Sequence, residues 1–332
     1  MFNEEKFNEL NTRINYKSDQ NVVGISNRYF TMLLKLAQNK DLKASHIPFA
    51  FSYIYFQTYL FRYTKYDTYI PSVGEIKEIL AYNKTNTILN YIIKDGGILD
   101  TFNLTKTLYD FPVIHEWDGD SLEFTLLSHM NDGNGYGRQW REERGVNFNA
   151  SCKYPVLGFY DELDSFEGVT VNNHNGSFFH TYNLTLIEWN VFNYCMSHSG
   201  LGCLGFYLYG FIKYQEGLNG NCQMGLETIA KLTGMTSRTV SKYMKVLREY
   251  NLVECISPTF IVGADTKKKK DEEIHKESNT YFANEFKSIT SNKVEISKPT
   301  FISIEHYREK KQIEDAKSNQ TVDNIDFDSL FS

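Results

Sequence analysis

Thirteen consecutive residues, TSRTVSKYMKVLR from Thr236 to Arg248, contain four cations and no acid. Ser237, Arg238, Ser241, Lys242 and Lys245, with Arg248 one turn later, carry donors suited to base edges and phosphate oxygens in a major groove. Val240, Tyr243, Met244 and Leu247 recur on the opposite face at helical spacing, so residues 237–250 read as an amphipathic helix with one basic side. A solvated basic face is the other reading of such a helix. The residues before it favour contact with nucleic acid.

Those residues predict a first helix over 226–233, with Ile229 and Leu232 on its buried side and Ala230 small enough for a second helix to cross. Gly234 ends it, because glycine tolerates the left-handed backbone of a sharp turn. Thr236 or Ser237 then caps the second helix. Ala230, Gly234 and Val240 stand at the spacing of a helix-turn-helix. Downstream, LVECI, TFIVG and NTYFANEF read as strands that make a wing. Between them lies the polar loop ADTKKKKDEEIHKES, residues 264–278. Its Lys267, Lys268, Lys269 and Lys270 either touch a phosphate backbone from the wing tip or are solvated beside Asp271, Glu272 and Glu273.

The first half carries a weaker copy. Residues 69–100 align with the helix-turn-helix, placing Ile76 over Ile229, Ile79 over Leu232 and Ile98 over Leu252. An aromatic-rich helix precedes both copies, at 48–65 in the first. FPVIHEW, a turn at Asp118-Gly119-Asp120 and SLEFTLL predict a hairpin after the first. Here Lys77 replaces the small residue and Ala81 the glycine. The second helix, NTILNYIIKD, is apolar at 88, 89, 92 and 93 and offers only Lys84 and Lys94 as cations, so this copy is expected to be structural or to form a protein interface. DNA contact by Lys84 and Lys94 is an auxiliary role.

Bulk properties restrict the partners. The chain has 332 residues, 41% hydrophobic, with 24 Phe, 23 Tyr and a formal charge of -6. Attraction to nucleic acid must therefore come from local basic surface. Aromatic runs such as FAFSYIYFQTYLFRY are interrupted too often for a membrane span, and the N-terminus lacks the pattern of a secretion signal. A cytoplasmic protein with reduced cysteines at 152, 195, 203, 222 and 255 is expected.

Catalytic chemistry has little support. Residues 131–155 begin glycine-rich but lack the GxxxxGK[ST] spacing of a phosphate loop. They read as a linker, with Arg138, Arg141 and Arg144 available beside DNA. Segment 156–182 shows short strand-like runs with NHNG as a turn. His198 and Cys203 read as a core or helix-end pair, Asp118 and Asp120 as turn formers, and His115 and His129 as flanking the hairpin without a catalytic partner. The expectation is a binder, not an enzyme, with no cofactor and no metal.

From Ser303 a charged helix is expected, fading into TVDNIDFDSLFS. Ile325, Phe327, Leu330 and Phe331 among three aspartates suit docking in a partner's groove; a frayed terminus is the bland alternative. DSLF resembles the end of the bacterial sliding-clamp pentapeptide, without its leading glutamine. It also resembles the acidic, phenylalanine-ended tip of bacterial single-strand-binding proteins.

LTLIEWNVFNYCMSHSG together with GLETIAKLTGMTSRTVSKYMKVLREYNLVE resembles the winged-helix module of replication initiators and replisome organisers from plasmids and phages of Firmicutes. The likeness covers residues 180–255, and the tandem arrangement is similar to two-winged-helix initiators of iteron plasmids. The resemblance implies binding of duplex DNA at repeated origin sites, a homodimer, and recruitment of a host sliding clamp, helicase or loader. The expected fold class is α+β, helix-rich, with two tandem winged helix-turn-helix domains and a disordered acidic C-terminal tail. Residues 1–24 form an extension, 25–130 the degenerate domain, 131–179 a linker, 180–290 the reading domain and 291–332 the charged helix and tail. A transcriptional regulator using the same module and a winged-helix protein adaptor without DNA binding are the alternatives.

Overall fold

The computed structural model describes residues 1–64, 70–110, 112–118, 121–126, 152–159, 183–262 and 278–323. They form a helix-rich α+β protein with small sheets. After α1 (Glu4–Arg13), β1 (Val22–Ser26) pairs antiparallel with β6 (Leu184–Glu188) from the far half of the chain, Gly24 opposite Leu186. Each of these strands leads into the same order of helices. β1 is followed by α2 (Arg28–Gln38), α3 (Ile47–Tyr59), α4 (Val73–Ile79) and the one-turn α5 (Asn90–Ile93). β6 is followed by α7 (Trp189–Ser197), α8 (Gly202–Asn219), α9 (Leu226–Thr233) and α10 (Ser237–Glu249).

Helix α3 and the first two-thirds of α8 are core helices because they are apolar around their circumference. Every residue from Ile47 to Tyr59 is buried. Two hydroxyls on α3 bond back along the helix: Ser52 Oγ donates to Pro48 O at 2.8 Å and Thr58 Oγ1 to Ile54 O at 2.7 Å. Where the two helices meet, Phe51 lies 5.3 Å from the ring of Tyr207, and Tyr55 meets Phe206 edge-on at 4.8 Å. One continuous cluster of buried side chains consequently runs from Leu10 to Ala283, through both halves.

Residues 1–24, expected as an extension, contribute to that cluster. Phe2 stacks on Tyr194 with ring centroids 4.7 Å apart, and Trp189 Nε1 donates to Asn11 Oδ1 at 2.8 Å. Helix α1 of this extension packs on α7.

The sheets also depart from expectation. β7 (Cys222–Gln223), β10 (Thr280–Ala283) and β8 (Val253–Ile256) form one sheet with β10 in the middle. TFIVG supplies β9 (Phe260–Val262), which pairs in parallel with β11 (Phe301–Ser303) instead of with NTYFANEF. The reason is burial: Tyr281, Ala283 and Val253 point into the core, whereas no residue of β9 is buried. In the first half, α6 (Ile98–Thr101) precedes β2 (Thr105–Leu108), which pairs with β5 (Cys152–Pro155). The expected hairpin forms between β3 (Pro112–Asp118) and β4 (Ser121–Leu126), with Asp118 opposite Ser121. α11 (Ile304–Asp323) comes after β11. Among the described residues no helix is long and apolar enough to cross a membrane.

Candidate nucleic-acid interface

The connection between α9 and α10 is fixed by residue chemistry at four points. Gly234 is left-handed, with φ of 71°. Thr233 Oγ1 donates back to Ile229 O at 2.7 Å, and the Thr233 carbonyl accepts from Tyr207 Oη at 3.3 Å. Thr236 caps α10 by accepting the Thr239 N–H at 3.2 Å. Beneath the turn, a Cβ on residue 234 would lie only 2.8 Å from Ile47 Cδ1 and 3.3 Å from Leu34 Cδ1. The turn of the second half therefore rests on the α2–α3 joint of the first. Leu232, expected on the buried side of α9, is 39% exposed; Ile229, Ala230 and Thr233 bury that helix.

On α10 Val240, Met244 and Leu247 are buried, and Ser237, Arg238, Ser241, Lys242 and Lys245 are exposed. At about 100° per residue, Arg238, Lys242 and Lys245 fall on one face. Arg238 and Lys242 make no ion pair with a described residue, and Lys242 Nζ lies 5.2 Å from the Tyr243 ring centroid. The far end of the face is electrostatically mixed. Glu249, eleven residues beyond Arg238 and about 20° from it around the axis, receives Lys245 Nζ at 3.7 Å and Lys293 Nζ at 2.7 Å. That bond from Lys293 to Glu249 holds the Lys293 ammonium above its ordinary pKa.

Arg248 does not extend the row. It sits half-buried at the side of the helix, where its Nη2 donates to Ser297 O at 3.3 Å. The segment that receives it also closes the end of α10, since Val294 N donates to Glu249 O and Thr290 N to Tyr250 O. Lys293 was not legible as part of this face, because 44 residues separate it from Glu249.

The first copy is built differently. α4 begins with a reciprocal cap, Ser72 Oγ accepting from Glu75 N while Glu75 Oε2 accepts from Ser72 N. Ala81 takes the glycine's place in the turn and its left-handed backbone too, at φ of 63°. It faces the α7–α8 joint: a Cβ on residue 202 would lie 3.8 Å from Ala81 Cβ, and Cys203 Sγ lies 3.3 Å from Leu80 O. Lys77 is buried, its Nζ donates to Asn90 Oδ1 at 2.5 Å, and burial lowers its pKa.

The helix expected over NTILNYIIKD shrinks to the single turn of α5. Asn83 Oδ1 accepts from Thr85 N and Asn86 Oδ1 from Ile88 N, both at 2.9 Å. These side chains compete with helical carbonyls for the same N–H groups. Lys84 lies exposed in that non-helical stretch. Lys94 is the exposed C-cap of α5, and its carbonyl accepts from Lys153 Nζ at 3.0 Å.

Several expected positions lie outside the described residues: Lys267, Lys268, Lys269 and Lys270, Arg138, Arg141 and Arg144, His129, the NHNG turn, and Ile325, Phe327, Leu330 and Phe331. Cys195, Cys203 and Cys222 are free and buried, and Cys255 is free and half-buried. Among the described residues no group of three or more His, Cys, Asp and Glu could hold a metal ion. Compared with known proteins, the chain matches no family model, no curated protein and no solved structure.

Proposed function

We propose that this protein binds double-stranded DNA, laying α10 in the major groove, and that it serves a mobile element as a replication initiator acting on repeated origin sites. The observation that carries the DNA reading is the exposed face of Arg238, Lys242 and Lys245, set on a helix whose other side is fully engaged in the core. Support also comes from the order α8, β7, α9, α10, β8, β10, with β10 between β7 and β8, an order that a winged-helix reading would require. The replication role rests on the resemblance of residues 180–255 to plasmid and phage initiators.

Fluorescence anisotropy on duplexes from the DNA that encodes the protein tests this. Four phosphate contacts give a slope of log K against log salt of about -3 to -4. Replacing Arg238 and Lys242 together by alanine should weaken specific binding by about a hundredfold or more. A wild-type protein that shows no salt-dependent binding to any such duplex would refute the reading and favour a protein adaptor.

A further inference from the structure

Beside the N-terminal end of α10 the surface belongs to the other half of the chain. A groove of about 470 Å³ separates them, with Gln38 and Ala44 on one wall and Lys231, Thr236 and Ser237 on the other. The first wall is a turn that closes α2. Lys40 is left-handed, with φ of 68°, its N–H donating to Ala37 O at 3.2 Å. Leu42 is buried beneath the turn and anchors it through Leu42 N to Leu36 O at 3.2 Å.

Lys35, Lys40 and Lys43 are exposed around this turn, as is Lys231 on the facing helix. None of the four makes an ion pair with a described residue. The acids nearby are Asp41 in the turn and Glu227 on α9, so cations are in local excess in a chain of net charge -6.

The turn is also braced from behind. Tyr91 Oη accepts from Lys43 N at 3.3 Å and lies 2.9 Å from His46 Nδ1. Tyr91 belongs to α5, the shortened helix of the degenerate copy. Helix α5 thus holds the Lys43 backbone in place through Tyr91.

We propose that the Lys40–Lys43 turn is a second contact for duplex DNA, gripping the sugar-phosphate backbone at the rim of the groove that α10 enters. This rests on the assignment of α10 as the major-groove helix. The N-terminal end of such a helix points toward the base edges, and elements flanking that end meet the phosphates bordering the groove. Backbone contacts of this kind set register and affinity without reading sequence.

The test is duplex titration with Lys40→Ala combined with Lys43→Ala, both exposed and outside the core. The expected result is about tenfold weaker binding near 0.15 M salt and a salt slope smaller in magnitude by about 2. Specific and non-specific duplexes should weaken alike, and Lys40→Arg with Lys43→Arg should bind as the wild type does. Unchanged affinity and slope in the alanine variant, while Arg238→Ala with Lys242→Ala abolishes binding, would overturn the second contact and leave α10 as the reader. No duplex binding by the wild type would overturn both.

Discussion

The turns at Gly234 and at Ala81 share a backbone conformation and differ in the chain that leaves them. Gly234 and Ala81 are both left-handed, and each turn sits on the inter-helix joint of the opposite half. Yet one turn leads into thirteen residues of helix with Arg238, Lys242 and Lys245 exposed on one face, and the other into a stretch of asparagine turns ending in one helical turn. The Gly234 turn lies against Leu34 and Ile47 of the other half, whereas Ala81 is exposed beside Gly202 and Cys203. Tyr91 and Lys77 show the first copy's side chains bonded inward, to Lys43, His46 and Asn90.

Breaking the glycine turn should have the largest effect on stability. Gly234→Ala combines a left-handed alanine with contacts at 2.8 and 3.3 Å against Ile47 and Leu34, and is expected to cost about 2 kcal/mol in chemical denaturation. A neutral result would mean that the two halves do not lock through this turn.

Next in size is an acid effect that is larger at one joint than at the other. His198 is buried at the α7–α8 joint, and its Nε2 has no partner among the described residues. Burial pushes its pKa down to about 4, with the N-terminal ammonium and Lys293 adding repulsion. The unfolded chain takes up this proton near pH 6.5. Stability should therefore be complete above about pH 6.5 and fall as pH drops toward about 4, by the order of 2 kcal/mol. The corresponding joint of the first half holds His46, which has Tyr91 as a partner and a smaller downward shift, also from burial. His198→Gln should flatten the pH profile more than His46→Gln; equal slopes would remove the distinction between the joints.

The smallest effect has the opposite sign. Ala81→Gly relieves a left-handed alanine and should stabilise by roughly 1 kcal/mol, read as a rise in melting temperature. Destabilisation would show that the lost methyl and the added freedom of glycine in the unfolded chain outweigh the backbone strain.

The legible parts of this fold were those decided by neighbours in sequence. Gly234 as a left-handed stop, Thr236 as a cap and the apolar spacing of Val240, Met244 and Leu247 locate α9 and α10 within a residue. The exposed cations of α10 follow from the same periodicity. Decisions made by distant partners were not legible. Nothing local tells β9 to join β11, or separates Leu232 from Thr233 as the buried residue. The end of α5 could have been suspected from Asn83 and Asn86, whose side chains take N–H groups a helix needs. The interlocking of the halves depends on the pairing of β1 with β6, which sets Val22 opposite Glu188 from the far half of the chain.

One measurement sets the copies directly against each other: parallel titration of a duplex with Arg238→Ala plus Lys242→Ala and with Lys84→Ala plus Lys94→Ala. If only the second copy reads DNA, the first pair of changes weakens binding by about a hundredfold or more and the second pair by less than about threefold. Equal losses would contradict that division, and a duplex-binding wild type indifferent to Arg238 and Lys242 would contradict the assignment of α10.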